Sequence, residues 1–159
     1  MILGIMSDTH DNLPKVKNAV SLFHKKGVNF VLHCGDIVAP FTMKLIENNL
    51  KCDYVGVFGN NDGEKQGLTL ESKGKIKEAP LTIEKFGKKI LLTHDIESIK
   101  NIDTKDYDFV FFGHSHKESV DKKGNAWFIN PGECGGWLTG KSTVVTFDII
   151  SDTPKVHRI

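Results

Sequence analysis

Cysteine is scarce in this chain: 159 residues hold only Cys34, Cys52 and Cys134. The three are odd in number, widely spaced and without a C-x-x-C pair. That excludes a disulfide frame and a thiolate zinc site, and it fits free thiols in a reducing cytoplasm. An excess of charge is missing too. Lys and Arg number 21 against 20 Asp and Glu, a formal net charge of +1, so nucleic acid is not an expected partner. No apolar run approaches the roughly 18 residues that a membrane span requires. The opening stretch is already polar by Ser7-Asp8, which leaves no room for a secretory leader. Repeats, low-complexity tracts and linkers are absent as well. With 39% hydrophobic and 26% charged residues, the composition is that of an ordinary globular protein. One domain over 1–159 is the expectation.

What the chain does contain is a series of short apolar runs that end in glycine or polar residues. Ile2 to Met6 is a buried-strand candidate. Pro14 suits a first helical turn with Asn12 or Leu13 near the cap, and Val16, Ala19, Val20 and Phe23 recur at helical spacing before Gly27. Phe30 to Leu32 is a second strand. A helix follows Pro40, with Phe41, Leu45 and Ile46 on its expected inner face, and Tyr54 to Phe58 is a third strand. This alternation implies parallel pairing in an α/β sheet. Residues 63–79 are polar, with a short helix expected around Leu68 to Ser72. Strands return at 80–86 and 89–93 across a Gly87-Lys88 turn, then at Asp108 to Phe112. Glu118 to Val120 and Ala126 to Ile129 flank a second hairpin turn at Asp121 to Asn125. Ser142 to Ile149 alternates as a strand, with Lys155 to Ile159 a candidate partner. The hairpins of the second half point to a mixed sheet or two packed sheets.

Chemistry collects where these strands end. Asp8 and His10 follow the first strand, Asp36 the second, Asn60 the third, His94 a later one, and His114 with His116 the next. In α/β sheets, ligands bind outside the carboxyl ends of the strands. The spacing of two within Asp8-x-His10 and His114-x-His116 would keep both side chains on one side of an extended segment. Either pair alone means little, and Asp8 or Asp36 alone would pass for a helix cap. Together, imidazole, carboxylate and amide donors on five strand ends have the makeup of a two-metal site without thiolates. Two cations about 3.5–4 Å apart require a ligand that reaches both, and the Asp36 carboxylate is the best-placed bridge. Two divalent cations, two carboxylates and a hydroxide leave a net charge of about +1, which suits an anionic ester.

Asp8-Thr9-His10, Gly35-Asp36, Gly59-Asn60-Asn61-Asp62, His94 and Gly113-His114-Ser115-His116 resemble the signature blocks of the calcineurin-like metallophosphoesterases, in that superfamily's order. The short length and Ile129-Asn130-Pro131-Gly132 are similar to its small phosphodiesterase subfamily of bacteria and archaea. The resemblance implies a four-layer αββα sandwich of two mixed β-sheets flanked by helices. It implies Asp8, His10, Asp36 and His116 around a first metal, and Asp36, Asn60, His94 and His114 around a second. It further implies hydrolysis of small phosphodiesters by attack of a metal-activated hydroxide. Manganese is the first expectation, with Ni, Fe, Zn or Mg compatible. A homodimer is a further expectation by analogy. A non-catalytic scaffold resembling the retromer's sorting subunit is the alternative, although such a scaffold would be expected to have lost ligands that this chain keeps.

Departures from the family pattern are informative. Asn61 stands where many members have a histidine that protonates the leaving group; an amide offers phosphate a hydrogen bond but no proton. Asp95 follows His94 where relatives have glycine, and Glu133 follows the Asn-Pro-Gly turn where relatives have a small hydroxyl residue. Each either adds a carboxylate near the metals or points outward. His24 and His157 are expected in solvent, and His33 in structural packing. Asn12 serves a turn, touches phosphate or supports His10. Cys34, Trp127 and Phe128 are core candidates, and Trp137 is either core or a substrate flank. The lysines of 73–89 are expected to form a solvated face.

Overall fold

The computed structural model describes all residues from Met1 to Ile159. Eleven strands form two mixed sheets. The first has the order β11-β10-β1-β2-β3-β4, built from β1 (Ile2–Met6), β2 (Phe30–His33), β3 (Asp53–Val57), β4 (Ile76–Lys77), β10 (Thr143–Asp148) and β11 (Thr153–Arg158). Its β1 to β4 run parallel, and β10 lies antiparallel to both its neighbours, β1 and β11. The second has the order β5-β6-β7-β9-β8, from β5 (Leu81–Lys85), β6 (Lys88–Leu92), β7 (Phe109–Phe111), β8 (Glu118–Lys123) and β9 (Ala126–Pro131). There β6, β7 and β9 are parallel, with antiparallel edges. This is the mixed α/β architecture expected.

The central strands β1, β2 and β7 read as unbroken apolar runs because both of their faces are covered. Leu3, Ile5, Leu32 and Val57 face Ile90, Leu92, Phe109, Phe111 and Ile129 between the sheets. The opposite face of the first sheet offers Met6, Val31 and Tyr54 to α1 (Leu13–Lys25) and α2 (Pro40–Asn49), with Leu68 of α3 (Lys65–Glu71) completing that layer. The outer face of the second sheet has a thinner cover: Leu91 and Val110 meet Ile99 from a 3-10 turn, Ile96–Ile99. Four layers are present, but the fourth is one turn and an irregular segment.

Local signals place the helices. Asn12 caps α1, its Oδ1 accepting from Lys15 N, and Val16, Ala19, Val20 and Phe23 are the buried positions. The inner face of α2 differs from expectation: Thr42, Met43 and Ile46 are buried, and Phe41 is exposed. At 100° per residue, Met43 and Ile46 share a stripe from which Phe41 is turned away. The hairpin between β8 and β9 is also tighter, because Asp121 to Lys123 extend the strand and only Gly124-Asn125 turn.

Several polar residues are busier than expected. His157 sits half-buried on β11 with Nε2 2.8 Å from Thr146 Oγ1, and His24 Nε2 accepts from Lys51 N. Lys73 and Lys75 pair with Glu47, and the Lys85 ammonium lies 4.3 Å from the centre of the Phe30 ring. These long side chains cover apolar surface with their stems and keep their charges wet.

Candidate metal centre

The parallel strands β1, β2 and β3 of one sheet and β6 and β7 of the other end at one rim, where all seven predicted ligands converge. The backbone achieves this differently from expectation. Asp8, His10, Asp36, His114 and His116 all adopt left-handed φ, between 40° and 66°. Their segments are therefore tight turns, not extended runs. His114 turns towards Asn60, its Nδ1 2.9 Å from Oδ1, whereas His116 turns towards Asp8. Left-handed backbone costs about 1–3 kcal/mol per non-glycine residue and persists where surroundings over-determine it. Here they do. Gly59 passes so close to the Asp36 turn that an added Cβ would lie 2.5 Å from Asp36 N.

Two acidic residues hold these turns, Asp62 buried and Asp11 half-buried. The Asp62 carboxylate accepts from the backbone N–H groups of Asp36, Ile37, Val38 and Gly59 at 2.7–3.0 Å. Asp11 Oδ1 accepts from Ala39 N and Thr42 Oγ1 at the start of α2, which has no side-chain cap of its own. Neither role was apparent from the sequence, since each joins residues more than twenty positions apart.

The donor atoms fall into two overlapping groups. Asp8, His10 and His116 present ligand atoms to one another, and so do Asp8, Asp36 and His94. Asp8 Oδ1 lies 3.8 Å from His10 Nε2 and 3.5 Å from His116 Nε2. Asp36 Oδ2 lies 3.5 Å from His10 Nε2 and 3.4 Å from His94 Nε2. His94 Nε2 is in turn 3.0 Å from Asn60 Oδ1. Donors about 2.1 Å from one ion sit roughly 3.0–3.5 Å apart across a coordination edge, so most of these spacings suit shared cations. Asp8 Oδ1 and His10 Nε2 are buried and have no hydrogen-bond partner at all. Orphaned polar atoms of this kind are costly in a native fold; a cation between them would remove the cost, and the residues therefore fit divalent metal.

Outer contacts set the rings. His94 Nδ1 lies 2.8 Å from the Cys34 carbonyl, which directs Nε2 into the cluster. Burial works against the charge of Asp36, but hydrogen bonds from His94 and Asn61 outweigh it and hold the carboxyl well below its usual range. The Asp8 carboxylate beside it, with Asp36 behind, raises His10 against the effect of its burial. Beneath the rim, burial pushes His33 down to about 4. Its Nδ1 accepts from Gly35 N and its Nε2 meets Thr9 Oγ1, the packing role expected.

The open positions resolve in different directions. Asp95 points away and caps the 3-10 turn through Glu97 N. Glu133 points inward, with Oε2 2.9 Å from His116 Nδ1. Asn12 takes the turn role, donating to Gly135 O at 2.7 Å. Asn61 directs Nδ2 to Asp36 Oδ2 at 2.7 Å and its N–H to Oδ1 at 2.8 Å. Trp137 is outside the core, 65% exposed, with Nε1 donating to the His10 carbonyl. A cleft of about 290 Å³ adjoins His94, Asn60 and His114, walled by Phe58, Lys65 and Ser98.

Two stacked mixed sheets thus carry a cluster of carboxylate, amide and imidazole donors at their strand ends. Residues 1–152 match the calcineurin-like phosphoesterase superfamily domain, and the chain belongs to that family, whose members use divalent metal ions. It is 37% identical over 155 residues to phosphodiesterase MJ0936 of Methanocaldococcus jannaschii, covering 93% of each chain. An archaeal phosphodiesterase of known structure superimposes with TM-score 0.90 at 34% identity over the whole of both chains. Vps29 of Entamoeba histolytica, at 18% identity, TM-score 0.72 and coverage of 100% and 98%, shares the fold. No helix is long and apolar enough to cross a membrane.

Proposed function

We propose that this chain is a phosphodiesterase of the reducing cytoplasm that hydrolyses small phosphodiesters at a pair of divalent ions, manganese foremost. The observation that carries the reading is the placement of Asp36, whose single oxygen Oδ2 faces His10 at 3.5 Å and His94 at 3.4 Å. Asp8, His10, Asp36 and His116 would hold one ion, and Asp36, Asn60, His94 and His114 the other. Bound there, the ions would supply positive charge to a phosphate and bring the ionisation of water towards neutral pH.

The chain's own residues prepare that site. Asn61 donates twice to Asp36 and keeps it ionised and aimed. Cys34 O and Glu133 fix the rings of His94 and His116. Asn61 is itself exposed at the rim, where its amide can also contact a bound phosphate. It has no proton to give a leaving group, so esters whose leaving groups depart unprotonated are favoured. Aryl diesters are of that kind.

The scaffold alternative has less support: the likeness to Vps29 is one of fold, and every donor of the set is present here. The test is to strip the protein with chelator and restore Mn, Ni, Mg and Zn separately, assaying paired aryl mono- and diesters. Activity should vanish, return with at least one ion, and favour the diesters. Activity indifferent to chelation, or absent with every ion, would turn the reading to the scaffold.

A further inference from the structure

We propose that Glu133 is a positioning residue that sets the tautomer of His116 and fastens the Trp137–Thr139 loop to the same carboxylate. The proposal deepens the dinuclear reading and takes its functional meaning from it. Glu133 is fully buried, in the turn that follows β9. A buried carboxylate is costly unless its oxygens are satisfied, and here both are committed. Oε1 accepts from Leu138 N at 3.0 Å, from Thr139 Oγ1 at 2.6 Å and from Thr139 N. Oε2 faces His116 Nδ1 at 2.9 Å, with a longer contact to Leu138 N.

An ionised carboxylate only accepts hydrogen bonds. The hydrogen of the neutral His116 ring therefore sits on Nδ1, and Nε2 is left as a bare lone pair 3.5 Å from Asp8 Oδ1. The loop that Oε1 fastens also carries Trp137, whose Nε1 is bonded to the His10 carbonyl at 3.0 Å. His10 and His116, with ring centres 5.2 Å apart, are thus tied to one loop, His10 through Trp137 and His116 through Glu133.

The two oxygens can be separated experimentally. In Glu133→Gln the amide oxygen takes the Oε1 place, where three donors point at it, and the amide nitrogen faces His116. Nδ1 must then accept, and the hydrogen moves to Nε2, where it blocks a ligand position. Glu133→Ala removes both contacts.

The experiment is long-range ¹⁵N–¹H NMR of the histidine rings in metal-free protein at pH 8, with His116 assigned by its absence from His116→Gln. Amide exchange at Leu138 and Thr139 and titration with Mn²⁺ accompany it. Wild type should show the Nδ1–H form. Glu133→Gln should show Nε2–H, bind Mn²⁺ roughly 10–100-fold more weakly and keep the loop amides protected; Glu133→Ala should lose that protection. An Nε2–H form in wild type, or a Gln variant with tautomer and affinity unchanged, would overturn the proposal. If Glu133→Gln does not fold, the wild-type spectrum decides. Should wild type show Nδ1–H yet hydrolyse no phosphodiester with any ion, the positioning role stands and the dinuclear reading falls.

Discussion

From Leu3 to Met6 the first strand is apolar, buried and unstrained; two residues further on, Asp8 is equally buried but charged, left-handed and short of a hydrogen bond. A left-handed turn likewise follows β2 at Asp36 and β7 at His114 and His116. The sheet core and the rim above it are continuous in chain and opposed in design. The core gathers side chains that gain by leaving water. The rim holds left-handed turns, crowded imidazoles and an unpaired oxygen and ring nitrogen that an added cation would satisfy. Such a site is paid for by the stability of its scaffold, and substitutions on the two sides should move activity and stability in different ways.

The largest effect is expected at Asp36, the residue that the two proposed ion sites share. Asp36→Asn should abolish turnover and Mn²⁺ loading, a loss well beyond the roughly 10–100-fold that outer contacts cost, while the protein stays folded by circular dichroism. Loading unaffected by this change would break the contrast. In the core, Phe111→Ala should lower unfolding free energy by about 3–5 kcal/mol in urea titrations, because Phe111 is fully buried between the sheets.

A smaller effect comes from His33, which lies between the regions. Its folded pKa of about 4 is below the unfolded value of 6.5, so the unfolded chain binds the extra proton. His33 therefore adds stability that is complete above pH 6.5 and is lost as pH falls towards 4, by about 3 kcal/mol. His10 and His94 are raised and act with the opposite sign. The His33 contribution should appear as the difference between wild type and His33→Gln, and a constant difference over that range would refute it. The smallest effect concerns the orphaned oxygen. In metal-free protein at pH 8, Asp8→Asn should raise stability by about 1 kcal/mol, and Mn²⁺ should stabilise wild type more than the variant in thermal melts.

How much of this was legible in the sequence follows the same division. The core strands and α1 were readable because burial on two faces or one stripe leaves a periodic trace, as at Ile2–Met6 and at Val16, Ala19, Val20 and Phe23. The seven candidate ligands were readable as chemical types at strand ends. What holds them was not. Asp62, Asp11 and Glu133 act on partners distant in sequence or through a turn, and a buried carboxylate looks the same in a string of letters as a solvated one. The left-handed turns were missed because a spacing of two fits an extended strand equally well. Phe41 misled because an aromatic beside Pro40 reads as core, whereas helix phase turned it outward.

In the proposed site Asp36 joins two ions held by side chains from five strand ends. Anomalous diffraction from crystals grown with manganese tests it most directly. Two peaks about 3.5–4 Å apart are expected, both beside Asp36, one next to Asp8, His10 and His116 and the other next to Asn60, His94 and His114. A rim without peaks, or manganese bound elsewhere, would contradict it.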